Sequence, residues 1–342
     1  MNYFISLILS FGLAAWLTRR FCNPGSRFHV LDHPNERSLH LRPVPRSGGL
    51  AILAGIVAGM SFVAWRFNCE DGFYWLSPSI IMVAIVSYID DHRHVSVIIR
   101  LLVQLLAASL VLWGGYSVRL FEVPGLGFAV SPELGALLSV LFIVWMINLY
   151  NFMDGMDGFA GGMAVIGFSA FALLGWWSGN AIFTLLNLVV AAAAGGFLLF
   201  NFPPARIFMG DVGSSTLGLL AAVFSLWGSR DGVFPFWIAI LIFSPFVFDA
   251  SATLIRRLLK RENILRAHKT HYYQKLVQAG WGHRKTVFME YIIMGGCGLT
   301  ALLSVKASVH YQVLTLAAWV VFYFFFFMWV SWYTSRRHSA ST

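Results

Sequence analysis

Most of the residues in this chain that could do chemistry fall in five short polar blocks, each set against an apolar run. Adjacent carboxylates, Asp90 and Asp91, close the segment SYIDDHRHVS. Neighbouring charges repel, so either one proton is retained or a cation lies between them. The plainer reading is an exposed helix end neutralised by Arg93 and the nearby histidines. A second block, NLYNFMDGMDG over 148–158, carries Asp154 and Asp157 at i, i+3, with Asn148 and Asn151 at the same spacing one turn earlier. On a helical turn these four groups share a face and suit a polar ligand; a turn built from Asp-Gly steps is the alternative.

The third block is FNFPPARIFMGDVGSSTLG, 200–218, where Gly210 and Gly213 flank Asp211 and a Ser-Ser-Thr run opens the next helix. A carboxylate beside glycines at a helix start suits a hard cation that bridges phosphate oxygens, and it equally suits a simple N-cap. The fourth, 256–286, holds nine Lys and Arg and three His, with His268 and His271 at i, i+3, and is expected to form an amphipathic helix that meets an anionic substrate. The fifth, 31–49, interleaves Arg37, His40, Arg42 and Arg46 with prolines, as a rigid basic lid or a lipid-headgroup contact would. There is no Walker motif, no Rossmann glycine fingerprint and no nucleophilic-serine elbow, so neither ATP-driven transport nor hydride transfer is indicated.

The elements that position these blocks must sit in lipid. Hydrophobic residues make up 58% of the 342 and charged ones 11%, against about 25% charged in soluble chains. Mean hydropathy is +0.72. The 31 Phe and 13 Trp fit a lipid-facing surface with interfacial aromatics. Apolar runs predict eleven transmembrane helices in one all-α bundle, at 3–18, 48–65, 74–89, 96–113, 133–149, 159–177, 181–200, 214–228, 234–255, 287–304 and 311–333.

Charge then sets the orientation. With the N-terminus outside and the C-terminus cytoplasmic, 20 of the 24 Lys and Arg fall inside, and only Arg66, Arg119, Arg230 and Lys306 fall outside. The inner loops 19–47, 90–95, 150–158, 201–213 and 256–286 carry all five blocks. Arg19 and Arg20 follow the first apolar run, the reverse of a cleavable signal, so that run is expected to be a retained span. The net charge of +9 is mostly explained by this bias, and no nucleic-acid partner is expected. Cys22, Cys69 and Cys297 are scattered and predict neither disulfides nor zinc.

Together the blocks, NFMDGMDG and FMGDVGS above all, resemble the polyprenyl-phosphate N-acetylhexosamine-1-phosphate transferases. That glycosyltransferase-4-type family includes the phospho-N-acetylmuramoyl-pentapeptide transferase of peptidoglycan synthesis. The similarity spans roughly residues 30–285. HKTHYYQKL stands where the peptidoglycan enzyme has a triple-His cluster, which points to the branch that initiates O-antigen or related surface polysaccharide. The resemblance implies a single integral-membrane transferase domain over 1–342, in a bacterial inner membrane with its site toward the cytoplasm. It implies Mg²⁺, with Mn²⁺ admissible, a UDP-N-acetylhexosamine donor, a polyprenyl (undecaprenyl) phosphate acceptor and release of UMP; a homodimer is left open.

By the same resemblance Asp211 matches the metal-binding position, with Asp154 as a second candidate. Asp90 and Asp91 match the pair that engages the lipid phosphate, and Asn151, Asp154 and Asp157 line the nucleotide side. Phe208 matches an aromatic that stacks on uracil. His268 and His271 match the histidine motif in part, and Arg37 and Arg46 belong to the basic lid. The rival from another class is a secondary transporter for an anionic substrate, which rests on Asp249 and Glu290 in or near the ninth and tenth spans.

Overall fold

The computed structural model describes residues 2–34, 38–40, 42–67, 69, 71–263 and 268–339. Its helices, in chain order, are α1 (Asn2–Phe21), α2 (Gly48–Arg66), α3 (Asp71–Tyr74), α4 (Leu76–His92), α5 (Val97–Trp113), α6 (Pro132–Met153) and α7 (Phe159–Trp177). After them come α8 (Ala181–Asn201), α9 (Gly210–Arg230), α10 (Phe236–Ile242), α11 (Ser244–Leu259), α12 (Tyr272–Leu276), α13 (Gly282–Ser304) and α14 (Val309–Ser339). Each of the eleven apolar runs has become helix. Nine helical segments among the described residues are long and apolar enough to cross a membrane, and α10 with α11 makes a tenth if the bent pair counts as one. The remaining run is α5, whose 17 residues rise about 26 Å, somewhat less than a hydrocarbon core of about 30 Å.

α9 is the axis of the bundle. Its residues from Val212 to Gly228 are all buried, as expected of a helix apolar on every side. Lipid tails give no hydrophobic drive between helices, so close backbone approach matters more. Gly49 of α2 lies so near Gly213 of α9 that a Cβ on either would collide with the other's backbone. At the far end of α9, Phe168, Phe171, Phe183, Phe224, Trp227, Phe234 and Phe243 interlock edge-to-face and stacked. Ser10 of α1 ties three helices at once, donating to the carbonyls of Gly55 and Val189.

Three features differ from the sequence expectation. The ninth span is broken: α10 and α11 meet at 80° around Phe243. Pro245, in the first turn of α11, has no N–H to continue the ladder, which explains the break. Residues 256–286 do not form one amphipathic helix. α11 runs on to Leu259, α12 covers only Tyr272–Leu276, and a π-helical stretch, Val277–Trp281, leads into α13. Lastly, an antiparallel hairpin of β3 (Leu120–Val123) and β4 (Leu126–Ala129) joins α5 to α6, turning through Pro124 and Gly125 at φ +80°. A second short pair, β1 (Leu31–Asp32) with β2 (Val44–Pro45), folds the first inner loop back on itself.

Candidate active site

The N-terminus of α9 gathers the carboxylates. Its first amides are claimed by side chains from other elements: Gly210 N–H by Asp154, Asp211 N–H by Asp91 Oδ1 at 3.3 Å and Val212 N–H by Asp91 Oδ2 at 3.4 Å. Free helix-start amides and the helix dipole attract anions, and here the protein's own carboxylates fill that role. Gly210 makes the approach possible: its φ is +70°, and a Cβ there would strike the Arg46 carbonyl and crowd both Asp91 oxygens.

Asp211 remains the open carboxylate, its side chain 33% exposed against 9% and 10% for Asp91 and Asp90. Its Oδ1 accepts from Asn151 Nδ2 at 2.9 Å, and the same amide reaches Ser214 Oγ at 3.1 Å. Asp211 also lies within hydrogen-bond reach of the Asp90 carboxyl. Arg100, from the first turn of α5, pairs with Asp90 Oδ2 at 2.6 Å and stands 3.9 Å from Asp211 Oδ2. Arg46 donates to the Asp91 carbonyl, stands 4.0 Å from the Asp91 carboxylate and 3.6 Å from Asp32.

Electrostatically the cluster is short of positive charge. Asp90, Asp91, Asp154 and Asp211 face two guanidinium groups, which leaves two negative charges uncompensated when all are ionised. Asp154, just past the end of α6, shows the consequence: burial first, then the charges of Asp211 and Asp91, hold its carboxyl well above the usual range, and the Gly210 amide offsets only part of this. Such an excess fits one divalent cation. Among the described residues no three His, Cys, Asp or Glu side chains form a ready cage.

The 150–158 loop departs from its expected geometry. α6 ends at Met153, so Asp154 and Asp157 do not share a helical face. Asp154 turns to α9, while Asp157 accepts the Ala205 N–H at 3.0 Å and pairs with His283 Nδ1 at 2.9 Å. The two Asp-Gly steps break the helix between them, the turn chemistry that competed with the helical reading. Asn148 donates to Gln104 Oε1 at 2.7 Å, and the pair lines a small cavity beside Asp211. Asn201 fastens the loop from below, accepting from Gly158 N–H and donating to the Ile207 carbonyl.

The basic loops close over this face. β2 and the start of α2 are stitched to the 208–209 segment by backbone bonds: Phe208 N–H to the Pro45 carbonyl, and Gly48 and Gly49 N–H to the carbonyls of Phe208 and Met209. His40 lies against the Phe208 ring, centroids 4.8 Å apart. Arg37 lies outside the described residues. His268 and His271 are not on a helix, yet their rings come within 4.8 Å. Burial, reinforced by His271, Arg257 and Arg256, pushes His268 down to about 4. His271 is buried against Phe152, beside Asn151.

Two cavities flank the carboxylates. One, of about 240 Å³, is lined by Arg27, Arg46, Tyr88, Asp91 and His92 on its polar side and by Phe28, Leu50 and Met209 on its apolar side. The other, of about 30 Å³, is lined by Arg100, Gln104, Asn148, Asn151, Asp211 and Ser215 together with Val83, Val86 and Phe152.

Arg100, Asn201 and His283 were not singled out by the sequence. Arg100 stands nine residues beyond Asp91, across the loop on the next helix, a signal that the basic count absorbed. His283 was hidden in the charge-rich stretch 256–286. The transporter reading loses its footing at Asp249, whose carboxylate is engaged by the Tyr272 and Tyr273 N–H groups of α12, the Thr253 hydroxyl and His271 Nδ1.

The family described as Glycosyl transferase family 4 matches residues 73–229, the stretch from α4 to α9 that supplies all four carboxylates. The chain is 33% identical over 301 residues, 86% of its length and 82% of the relative's, to a probable undecaprenyl-phosphate N-acetylglucosaminyl 1-phosphate transferase of Bacillus subtilis. A decaprenyl-phosphate N-acetylglucosaminephosphotransferase of Mycolicibacterium smegmatis is 30% identical over 300 residues, covering 79% of this chain and 74% of the relative. An undecaprenyl-phosphate alpha-N-acetylglucosaminyl 1-phosphate transferase of Salmonella typhi is 26% identical over 322 residues, 88% and 83% of the two chains. With the aspartate blocks brought together at one end of the bundle and relatives matched along most of their length, the chain belongs to the polyprenyl-phosphate N-acetylhexosamine-1-phosphate transferases of glycosyl transferase family 4.

Proposed function

We propose that this protein transfers N-acetylhexosamine-1-phosphate from a UDP-sugar to a polyprenyl phosphate and releases UMP. The observation that carries this is the meeting of Asp90, Asp91, Asp154 and Asp211, drawn from three separate inner blocks, around the start of α9. An oxygen of the lipid phosphate forms a bond to the sugar-linked phosphorus, and the bond from that phosphorus to the UMP oxygen breaks. Both reactants are anionic, so the barrier is largely one of charge and placement. Asp211, with Asp154 as the second carboxylate, would hold Mg²⁺ or Mn²⁺, and such an ion when bound neutralises charge on the diphosphate.

The two cavities divide the substrates. The half-apolar cavity beside Asp91 suits the lipid phosphate and its first isoprene unit, with Arg27, Arg46 and His92 facing the anion. The sugar diphosphate is assigned to the side of Asp211, Asn151 and Arg100, and the base, by the resemblance, to Phe208. Asp157 reaches the nucleotide side through the loop that it fastens and not by direct contact. The 20-to-4 charge asymmetry supports a cytoplasmic site in a bacterial inner membrane, and the step is the first membrane-bound one of a surface-glycan pathway.

Purified protein in nanodiscs, given polyprenyl phosphate and a panel of UDP-sugars, should release UMP with UDP-N-acetylhexosamines and place labelled sugar in butanol-soluble lipid. Failure of every UDP-sugar to yield either product refutes the reading.

A further inference from the structure

Four polar side chains lie one helical turn deeper in the bundle than residues of the site. Ser87 precedes Asp91 by four on α4, and Asn148 precedes Asn151 by three on α6. Gln104 follows Arg100 by four on α5, and Ser215 follows Asp211 by four on α9. At 3.6 residues per turn each shares a helix face with its neighbour in the site. α4 and α6 end at the site while α5 and α9 begin there, so all four offsets point inward. Together they line the cavity of about 30 Å³ beside Asp211, with Arg100 also on its wall.

Three of the four are short of partners. Ser87, Gln104 and Ser215 are only 5%, 6% and 6% exposed. Other buried serines of the bundle spend their hydroxyls on the carbonyl four residues back: Ser79 on Trp75, Ser139 on Gly135 and Ser225 on Ala221. The hydroxyls of Ser87 and Ser215 have no hydrogen-bond partner among the described residues. Gln104 is half engaged. Asn148 Nδ2 donates to the Val144 carbonyl at 2.8 Å and to Gln104 Oε1 at 2.7 Å. The Val144 bond identifies the Asn148 atom as nitrogen, so Gln104 must meet it with its oxygen. The amide hydrogens are what Gln104 has left to offer, and they too have no acceptor among the described residues. Buried polar groups are ordinarily satisfied. Three that are not, around one cavity, call for a ligand.

We infer that Ser87, Gln104 and Ser215 form, with Arg100, a pocket that takes a phosphate oxygen of the sugar diphosphate. The inference rests on the transferase reading and adds three substrate contacts to it. Size limits the ligand. One water needs about 10–15 Å³ of such space, so a pocket of about 30 Å³ admits one or two oxygen atoms and neither a sugar ring nor a base. Charge narrows it further. Arg100 and the Gln104 amide hydrogens can only donate, and both hydroxyls can turn to donate, which favours an anionic oxygen over a metal ion. Asn151 and Asp211 share the wall, on the side assigned to the sugar diphosphate.

The hydroxyls give the cleanest test. Ser87→Ala and Ser215→Ala each remove a group that holds nothing in the protein, so the ligand-free unfolding temperature should not fall. Calorimetry with UDP-N-acetylglucosamine and Mg²⁺ should show Kd weakened about tenfold in each. KM for the UDP-sugar should rise in parallel, and KM for polyprenyl phosphate should change little. Gln104→Glu keeps the acceptor for Asn148 but replaces the amide hydrogens with lone pairs and a negative charge. It should weaken the same binding about a hundredfold, whereas a cation site would gain from it. An unchanged Kd in either serine variant leaves the pocket to water and overturns the inference. So does a rise in KM for polyprenyl phosphate alone, tighter binding in Gln104→Glu, or a lowered unfolding temperature in the serine variants. If wild-type protein binds the nucleotide sugar yet transfers nothing, the transferase reading fails while the Kd ratios still judge the pocket.

Discussion

Asp211→Asn isolates the charge of the cluster from its shape. The amide keeps the Asp211 volume and can still accept from Asn151 through its oxygen, so the 2.9 Å bond survives. What changes is the charge: the cluster loses one negative charge. At about 4 Å and an effective dielectric of about 20, a unit charge pair is worth about 4 kcal/mol, which corresponds to roughly a thousandfold in affinity for a cation. Turnover at millimolar Mg²⁺ should therefore fall by at least about a hundredfold, with part of it recovered at much higher Mg²⁺. Without metal, the variant should be no less stable than wild type, because a like charge within reach of Asp90 has gone. UMP release titrated against Mg²⁺, with thermal unfolding of the metal-free protein beside it, reads both quantities. Wild-type turnover at low Mg²⁺ would place the metal elsewhere; a lower metal-free unfolding temperature would show that Asp211 is structural.

His283→Ala removes the partner of Asp157 across the face of α13, so the 150–158 loop should loosen and KM for the UDP-sugar rise about tenfold with a smaller change in kcat; initial-rate kinetics decide. His268 bears on acid stability. Its folded value is pushed down to about 4, below the unfolded value of about 6.5, so as pH falls from 6.5 toward 4 the unfolded chain takes up a proton that the folded chain refuses and stability drops. His268→Gln should flatten that part of the unfolding-temperature profile, and an unchanged profile would count against a buried neutral ring. A C-terminal alkaline phosphatase fusion should be inactive and a fluorescent-protein fusion bright; the reverse pattern would overturn the cytoplasmic site.

The bundle was readable because membrane spans announce themselves by length and apolarity. All eleven apolar runs became helix, with ends shifted by at most six residues; at α9 the shift of four starts the helix at Gly210 and draws Asp211 into its first turn. The carboxylate cluster of the candidate site was legible because carboxylates at one boundary have no orienting task, so Asp90, Asp91, Asp154 and Asp211 stand out by having nothing else to do. Their arrival around one helix start needs only that alternate spans return to the same side. The break at Phe243 could have been suspected from Pro245, yet proline is tolerated in membrane helices often enough that its presence does not fix an angle of 80°.

What stayed hidden were partners set by tertiary approach. Periodicity gives each residue a face and charge gives each loop a side, but neither says which donor will meet which acceptor. Asp91 is the instructive case. As half of a carboxylate pair it is expected at a headgroup, and it does line the half-apolar cavity. Its oxygens, however, also take the Asp211 and Val212 amides, so one side chain holds the helix that bears Asp211 and forms a wall of the neighbouring cavity. Asp249 makes the same point from inside the bundle: a lone acid in an apolar run reads as an ion site, until α12 and His271 supply its donors from 22 to 24 residues away. A buried carboxylate must find such donors or lose its charge. Solitary acids in apolar runs are therefore places to look for a distant polar segment that folds back, as the stretch around His271 does here.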